Sequence, residues 1–196
     1  MATGYLAQDP KKGLKINARI GFADESAFSD KPVVRKTWAP KGKTPILKVP
    51  GGWITRSVIS LITCSPRGQR PRLGFAIVRG SVNAAAFVRF LKSIQRRQRG
   101  RKLILIIDNL RVHKAKAVKA YLAVQRHWLT VAHLPPYAPE LNPAEYLWSS
   151  RKRRDFSNAR IPDGCRLNRR IRASGRIAQK NASLLKGFLR ASTLFQ

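Results

Sequence analysis

A short apolar segment that ends in an aspartate constrains the fold of this chain more than any other feature. Residues 103–107 are five consecutive branched apolar side chains, and Asp108 and Asn109 follow them directly. Five residues are too few for a helix, whereas such a run is typical of a strand buried on both faces in an α/β sheet. Ligands collect where the strands of open α/β sheets end. The sequence therefore predicts a functional aspartate at one edge of the sheet.

The remaining apolar patterns predict a mixed sheet flanked by helices. Alternation from Ile16 to Phe22 predicts a first strand that ends at residues 23–26. Segments 56–64 and 73–78 predict an antiparallel hairpin, and 129–134 predict a last strand. Helical spacing predicts four helices, over 84–97, over 114–127, from 143 onward and over 183–195. Asn83 is the predicted N-cap of the first of them. This order indicates the α/β class.

Residues 29–52 interrupt this order with several prolines and lysines. The composition predicts an irregular, basic excursion from the sheet. Within and beside it, Trp38 and Trp53 are the predicted anchors to the core.

The charge of the chain predicts a polyanionic partner. The 40 Lys and Arg residues against 9 Asp and Glu residues give a net charge of +31, and nucleic acid is the polyanion that fits such a protein best. No apolar run approaches the length of a membrane span, and the first residues lack a signal-peptide core. We therefore expect an intracellular protein with no membrane partner, in which Cys64 and Cys165 are free thiols.

Three of the nine acids fall at predicted ends of strands or helices. Asp24 ends the first strand, Asp108 ends the central strand, and Glu145 opens the helix after the last strand. If the first and central strands are parallel neighbours, the two aspartates lie at the same edge of the sheet, and the helix can bring Glu145 over them. Three clustered carboxylates repel one another unless a cation is present, and oxygen ligands select Mg²⁺ or Mn²⁺. Two such ions would hold both oxygens of an in-line phosphoryl transfer.

Four segments then carry a resemblance to a known family. The segments FADES, WAPKGKTP, LILIIDNLRVHKAK and LPPYAPELNPAEYLW, within about residues 16–154, resemble the catalytic domain of bacterial insertion-sequence transposases of the mariner superfamily. The resemblance implies a ribonuclease-H-like fold and DDE-type, metal-dependent DNA cleavage and strand transfer. It also implies that Asp24, Asp108 and Glu145 are the metal ligands, and it suggests a TA target and a homodimer. Asn109 and His113 match the motif, but the resemblance assigns them no role here.

Simpler interpretations of the individual residues remain open. Glu145 could be the capping-box partner of Asn142, or serve both purposes, and Asp108 could merely start a turn. Glu25 is expected to be a helper or a surface group, because adjacent side chains of a strand point to opposite faces. His113 is expected to make a structural contact.

The basic side chains supply candidate DNA contacts. Phosphate contacts give affinity without sequence information and make binding depend on salt. The candidates are Arg35, Lys36, Lys41, Lys43, Arg151, Lys152, Arg153 and Arg154.

The sequence divides into a lead-in over 1–14, a catalytic domain over 15–155 and a basic helical extension over 156–196. No helix-turn-helix pattern precedes the first strand, so an upstream helix-turn-helix polypeptide is an expected partner, in a bacterial cytoplasm and close to the nucleoid. Residues 157–179 are Arg-rich and weakly periodic, which favours a decayed or frame-altered copy. The alternatives are therefore a catalytically inactive DNA-binding remnant, or a ribonuclease-H-like nuclease that acts on another nucleic acid.

Overall fold

The computed structural model describes residues 18–49, 53–98, 100–136 and 138–195. The predicted lead-in and the predicted strand start at Ile16 lie outside these ranges. The strands are β1 (Arg19–Ser29), β2 (Thr55–Cys64), β3 (Arg72–Arg79), β4 (Leu103–Ile107) and β5 (Leu129–His133). The α-helices are α1 (Ala84–Gln98), α2 (Lys116–Val124), α3 (Pro143–Asp155), α4 (Gly164–Lys180) and α5 (Ala182–Ala191), with 3₁₀ turns at Arg111–Lys114 and Pro139–Leu141.

The five strands form one mixed sheet in the order β3-β2-β1-β4-β5. The pairs β1–β2 and β2–β3 are antiparallel, whereas β1–β4 and β4–β5 are parallel. The predicted hairpin, the parallel pairing of the first and central strands, and the mixed α/β sheet are confirmed. The last parallel pair of β1 and β4 is Phe22 with Ile106, and the same register sets Asp24 level with Asp108.

The first strand does not end at residues 23–26 as the sequence predicted. It continues to Ser29, because β2 remains beside it and pairs with it as far as Thr55. Asp24 therefore lies within β1, at the point where the parallel neighbour β4 has already ended. The prediction of a strand end was wrong, although the parallel neighbour of β1 does end at this level of the sheet.

The predicted tryptophan anchors are also wrong. The side chain of Trp38 is fully exposed and that of Trp53 is 74% exposed. The apolar side chains of residues 33–49, in the excursion between β1 and β2, are exposed, and none of them belongs to either core of the described residues. A bridge between Val33 and Ser157 ties its start to the chain after α3.

Helices cover both faces of the sheet. One core contains the predicted apolar face of α1, namely Phe87, Phe90, Leu91 and Ile94, together with Val118 of α2. The other core contains side chains of α3, α4 and α5 that pack on the opposite face. Asn83 caps α1 as predicted, because its Oδ1 accepts the Ala86 N–H at 2.9 Å.

Most of the Arg-rich region 157–179 lies in helix α4, which begins at Gly164, and this helix has a clear buried face that the weak periodicity of the sequence did not predict. Helix α4 buries Leu167, Ile171, Ser174 and Ala178, which recur at helical spacing. The pattern is hard to detect because two of these residues are small and one is polar. Gly175 completes the buried face, since an added Cβ would lie 2.4 Å from Phe75 Cζ.

The division at residue 155 stays a prediction, although α4 and α5 pack on the same sheet as α3. None of the helices in the described ranges is long and apolar enough to cross a membrane.

Candidate active site

Asp108 lies directly after β4, in a turn that its own side chain stabilises. Its Oδ1 accepts the Leu110 N–H at 3.1 Å, which is the short-range contact typical of an aspartate that starts a turn. The neighbouring amide of Asn109 donates to the Leu134 carbonyl at 2.9 Å and so ties the ends of β4 and β5 together. The turn interpretation is correct, and it leaves the second carboxylate oxygen of Asp108 without a hydrogen bond from the described residues.

Glu145 sits in the first turn of α3 and does not form a capping box. The cap is Asn142, whose Oδ1 accepts the Ala144 N–H at 3.1 Å. In a capping box the Asn142 N–H would donate a hydrogen bond to the Glu145 carboxylate. That N–H instead donates to the Pro139 carbonyl at 2.9 Å, within the preceding 3₁₀ turn. Glu145 is therefore exposed and free to take part in another interaction.

The three predicted acids come together at this edge of the sheet. Asp108 and Glu145 line one cavity of about 210 Å³, together with prolines 135, 136 and 139. Asp24 is buried nearby, and the Asn142 side chain donates to the carbonyl of the preceding residue, Ala23, at 3.4 Å. Asn142 thus joins the start of α3 to the stretch of β1 that carries Asp24.

The pKa values of these acids report a concentration of negative charge. Burial, and then the charges of Glu145, Glu25 and Asp108, raise the pKa of Asp24 to about 8. Partial burial and the charge of Asp108 raise the pKa of Glu145. Burial acts in the same direction on Asp108, but hydrogen bonds from His113 and the Leu110 N–H outweigh it and lower the pKa of Asp108. A divalent cation would offset the part of the shifts of Asp24 and Glu145 that comes from neighbouring negative charge.

A fourth acid, Glu25, is linked to Asp108 by the side chain of His113, which contacts both carboxylates. His113 lies in the 3₁₀ turn after β4, with its Nδ1 2.9 Å from Asp108 Oδ1 and its Nε2 3.0 Å from Glu25 Oε1. Burial disfavours a charged ring, but the hydrogen bonds to both carboxylates outweigh it and raise the pKa of His113 to about 9. The structural contact expected of His113 is confirmed, whereas the helper role expected of Glu25 stays a prediction. Nothing in the sequence indicated that the two residues meet.

The donor set fits a hard divalent cation. Asp24, Asp108 and Glu145 offer carboxylate oxygens, which Mg²⁺ and Mn²⁺ prefer to nitrogen or sulfur. Among the described residues, the group whose ligand atoms lie within 4.8 Å of one another is Glu25, Asp108 and His113, and it does not include Asp24 or Glu145. The two ring nitrogens of His113 point in different directions and each already contacts a carboxylate, so this group is better described as a hydrogen-bonded chain.

Comparison with known proteins identifies the family. Residues 19–168 match the sequence profile of the DDE superfamily endonucleases, and this range covers more than half of the chain. The chain belongs to this family. A comparison with curated proteins gives no significant match.

Solved structures of similar fold come from the mariner transposase Mos1. The Mos1 paired-end complex with Mg has a TM-score of 0.66 and 17% identity, and the match covers 99% of this chain and 56% of that chain. The Mos1 strand transfer complex has a TM-score of 0.63 and 17% identity, with the same coverage of 99% and 56%. The isolated Mos1 catalytic domain has a TM-score of 0.61 and 15% identity, with coverage of 99% and 84%. At these identities the likeness establishes the ribonuclease-H-like fold, which confirms that expectation.

This chain spans little more than half the length of the Mos1 chains in those complexes. Mos1 paired-end complexes have been solved with Mg and with Mn. The acidic cluster described above could bind a metal of this kind.

The predicted DNA contacts differ in how accessible they are. Arg35, Lys36, Lys41, Lys43, Arg153 and Arg154 are exposed. Lys152 is half-buried, with its ammonium 5.2 Å from the centre of the Phe28 ring and near the Asp24 charge.

Arg151 is a correction to the sequence analysis, because it is only 2% exposed. Its guanidinium donates to Ser174 Oγ at 3.0 Å and pairs with Asp155, so it joins α3 to α4 and cannot contact DNA. Four consecutive basic residues, 151–154, predict an exposed surface, but Arg151 lies on the side of α3 that packs against α4. The sequence analysis missed the exposed arginines of α4, which are Arg166, Arg169, Arg170, Arg172 and Arg176. Their recurrence in an acid-poor helix was the available signal.

Proposed function

We propose that this chain is the catalytic domain of a DNA transposase that cleaves a DNA strand and transfers the new end to a target. One observation carries the proposal. In a chain of the DDE endonuclease family, acids from β1, from the end of β4 and from the first turn of α3 lie close together: Glu145 and Asp108 both raise the pKa of Asp24, and Asp108 raises the pKa of Glu145.

In the proposed mechanism, Asp24, Asp108 and Glu145 hold two Mg²⁺ or Mn²⁺ ions. When bound, such ions activate the attacking water or 3′-hydroxyl and offset the charge that develops on the phosphate. The residues of the chain fix the geometry: β1 and β4 set the two aspartates level, and the Asn142 cap holds Glu145 beside them. Exposed basic side chains, Arg153 and Arg154 among them, bind the DNA backbone.

The DNA partner is double-stranded, and it includes the ends of the mobile element and a target. The net charge of +31 supports this partner, because neutralised phosphates release counterions and supply affinity that falls steeply with salt. The Mos1 neighbours include a paired-end complex and a strand transfer complex.

We further propose a homodimer and a separate helix-turn-helix polypeptide that recognises the element ends. Exposed apolar side chains in the excursion after β1, which include Val34, Trp38 and Ile46, support contact with a second copy. The motif resemblance supports a bacterial insertion sequence of the mariner superfamily as the source, and hence action on nucleoid DNA in the cytoplasm.

The test is cleavage of labelled duplex DNA by the purified chain with and without Mn²⁺ or Mg²⁺. We expect cation-dependent nicking that Asp108→Asn abolishes, while salt-sensitive DNA binding stays within about threefold of wild type because the basic surface is unchanged. Glu140→Gln is the control, since it removes an exposed acid of the same region that is not one of the three proposed ligands. The Glu140 charge acts on Glu145 by raising its pKa, so nicking should persist in this variant.

Unchanged nicking in a folded Asp108→Asn protein would refute the proposed site. Binding without any nicking in the wild type would favour the inactive remnant over the enzyme.

A further inference from the structure

The contact between Glu25, His113 and Asp108 has no part in the mechanism given above. Glu25 is on β1 and His113 follows β4, 88 positions apart in the chain, yet Glu25 Oε1 and His113 Nε2 are 3.0 Å apart. The side chain of His113 is 1% exposed and that of Glu25 is 11% exposed. A buried polar contact of this kind is costly to form unless its partners are satisfied, so it calls for an explanation.

The surroundings of His113 hold its ring in one orientation. Phe87 of α1 packs against it, with the ring centres 4.5 Å apart. Nε2 faces the Glu25 carboxylate, and Nδ1 lies 2.9 Å from Asp108 Oδ1 and 3.3 Å from the Asp108 carbonyl oxygen. Ionised carboxylates and carbonyls only accept hydrogen bonds, so the ring donates from Nδ1 and from Nε2. Rotation of the ring would break both contacts at once. Glu25 therefore acts as the distant support that fixes where Nδ1 points.

This orientation determines which oxygen of Asp108 remains available. Oδ1 is approached by His113 Nδ1 at 2.9 Å and by the Leu110 N–H at 3.1 Å. Oδ2 accepts no hydrogen bond from the residues that the structure describes. Two donors on one oxygen fix the torsion of the carboxylate, and they leave the other oxygen for a ligand.

We propose that Glu25 and His113 are positioning residues that hold Asp108 through Oδ1 so that Oδ2 is presented to a divalent cation. The inference rests on the proposed function, because it takes Asp108 to be a metal ligand. Residues of this kind, which orient a ligand without touching the metal, typically change metal affinity by about 10–100-fold when they are replaced.

Two replacements of His113 separate its two contacts. The amide nitrogen of asparagine can occupy the place of the imidazole Nδ1, whereas that of glutamine can occupy the place of Nε2. His113→Asn therefore keeps a donor for Asp108 and loses the support of Glu25, and His113→Gln keeps the contact with Glu25 and loses the donor for Asp108.

The measurement is the Kd of the full chain for Mn²⁺ by isothermal titration calorimetry, without DNA, beside metal-free thermal unfolding. We expect His113→Gln to weaken Mn²⁺ binding by about 10–100-fold and His113→Asn to weaken it several-fold less. A purely structural role of the ring would lower the stability of both variants and leave the Kd of the folded fraction unchanged. If neither variant folds, Glu25→Gln replaces them, and we expect it to weaken binding by about 10-fold.

Asp108→Asn distinguishes failure of this inference from failure of the proposed function. One outcome is that Asp108→Asn loses Mn²⁺ binding, whereas folded His113→Gln binds Mn²⁺ at least as tightly as wild type. That outcome overturns the positioning role and leaves the metal site standing. Glu25→Gln takes the place of His113→Gln if the latter does not fold. If Asp108→Asn and wild type bind Mn²⁺ alike, the proposed metal site itself is wrong.

Discussion

Replacing Asp24 with asparagine should make the metal-free protein more stable. Asp24 is 9% exposed, and burial beside three other acids raises its pKa from 3.8 to about 8. At pH 7 the unfolded chain carries Asp24 ionised, whereas the folded chain holds it protonated. Each pKa unit corresponds to about 1.4 kcal/mol, so this difference costs the fold about 4 kcal/mol at pH 7.

The cost has a defined dependence on pH. It is absent below about pH 4, where both states are protonated, it grows as the pH rises, and it levels off above about pH 8. Asparagine has nearly the same shape and cannot ionise. We expect Asp24→Asn to raise the free energy of unfolding by about 2 kcal/mol at pH 7, since neighbouring acids redistribute part of the charge, and by more at pH 8.5.

Urea unfolding in EDTA at pH 5, 7 and 8.5, followed by tryptophan fluorescence, measures the effect. Added Mg²⁺ should stabilise the wild type, because it binds the folded state, and should have a smaller effect on the variant. Glu140→Gln, which removes an exposed acid, should change stability by less than about 0.5 kcal/mol. The reasoning is refuted if Asp24→Asn is less stable than wild type at pH 8.5 without metal, or if the difference does not vary with pH.

Two further predictions concern the helices that surround the site. Gly175→Ala should destabilise the fold by about 1–3 kcal/mol in urea unfolding, because the new methyl would lie 2.4 Å from the Phe75 ring. Gly187→Ala, where nothing lies within 4 Å, should instead stabilise it by up to about 1 kcal/mol, and equal effects would contradict the packing account. Asn142→Ala and Asn181→Ala each remove a helix cap and should each cost about 1 kcal/mol. Only Asn142→Ala should also weaken Mn²⁺ binding in calorimetry, since its helix carries an acid of the site, and unchanged affinity would separate that cap from the metal site.

Local signals were sufficient for the framework of the fold. The apolar run before Asp108 predicts β4, because five branched apolar residues bounded by charge fit only a buried strand. Asn142 followed by proline predicts the start of α3, since the cap and the first helical residue interact within one turn. The family resemblance added the identity of the three acids, which periodicity alone does not select.

Tertiary neighbours decided the rest. Strand β1 extends past Asp24 because β2 continues to pair with it, from Glu25 with Ile59 to Ser29 with Thr55. Arg151 is buried because α4 offers it Ser174, and no pattern around residue 151 announces that partner. The amino-acid sequence alone determined which segments form strands and helices and which acids lie near their ends, because both depend on neighbours within a few residues. The contact between Glu25 and His113 joins residues 88 positions apart, so only tertiary packing brings them together. In the proposal made above, that contact decides which oxygen of Asp108 remains available to a ligand.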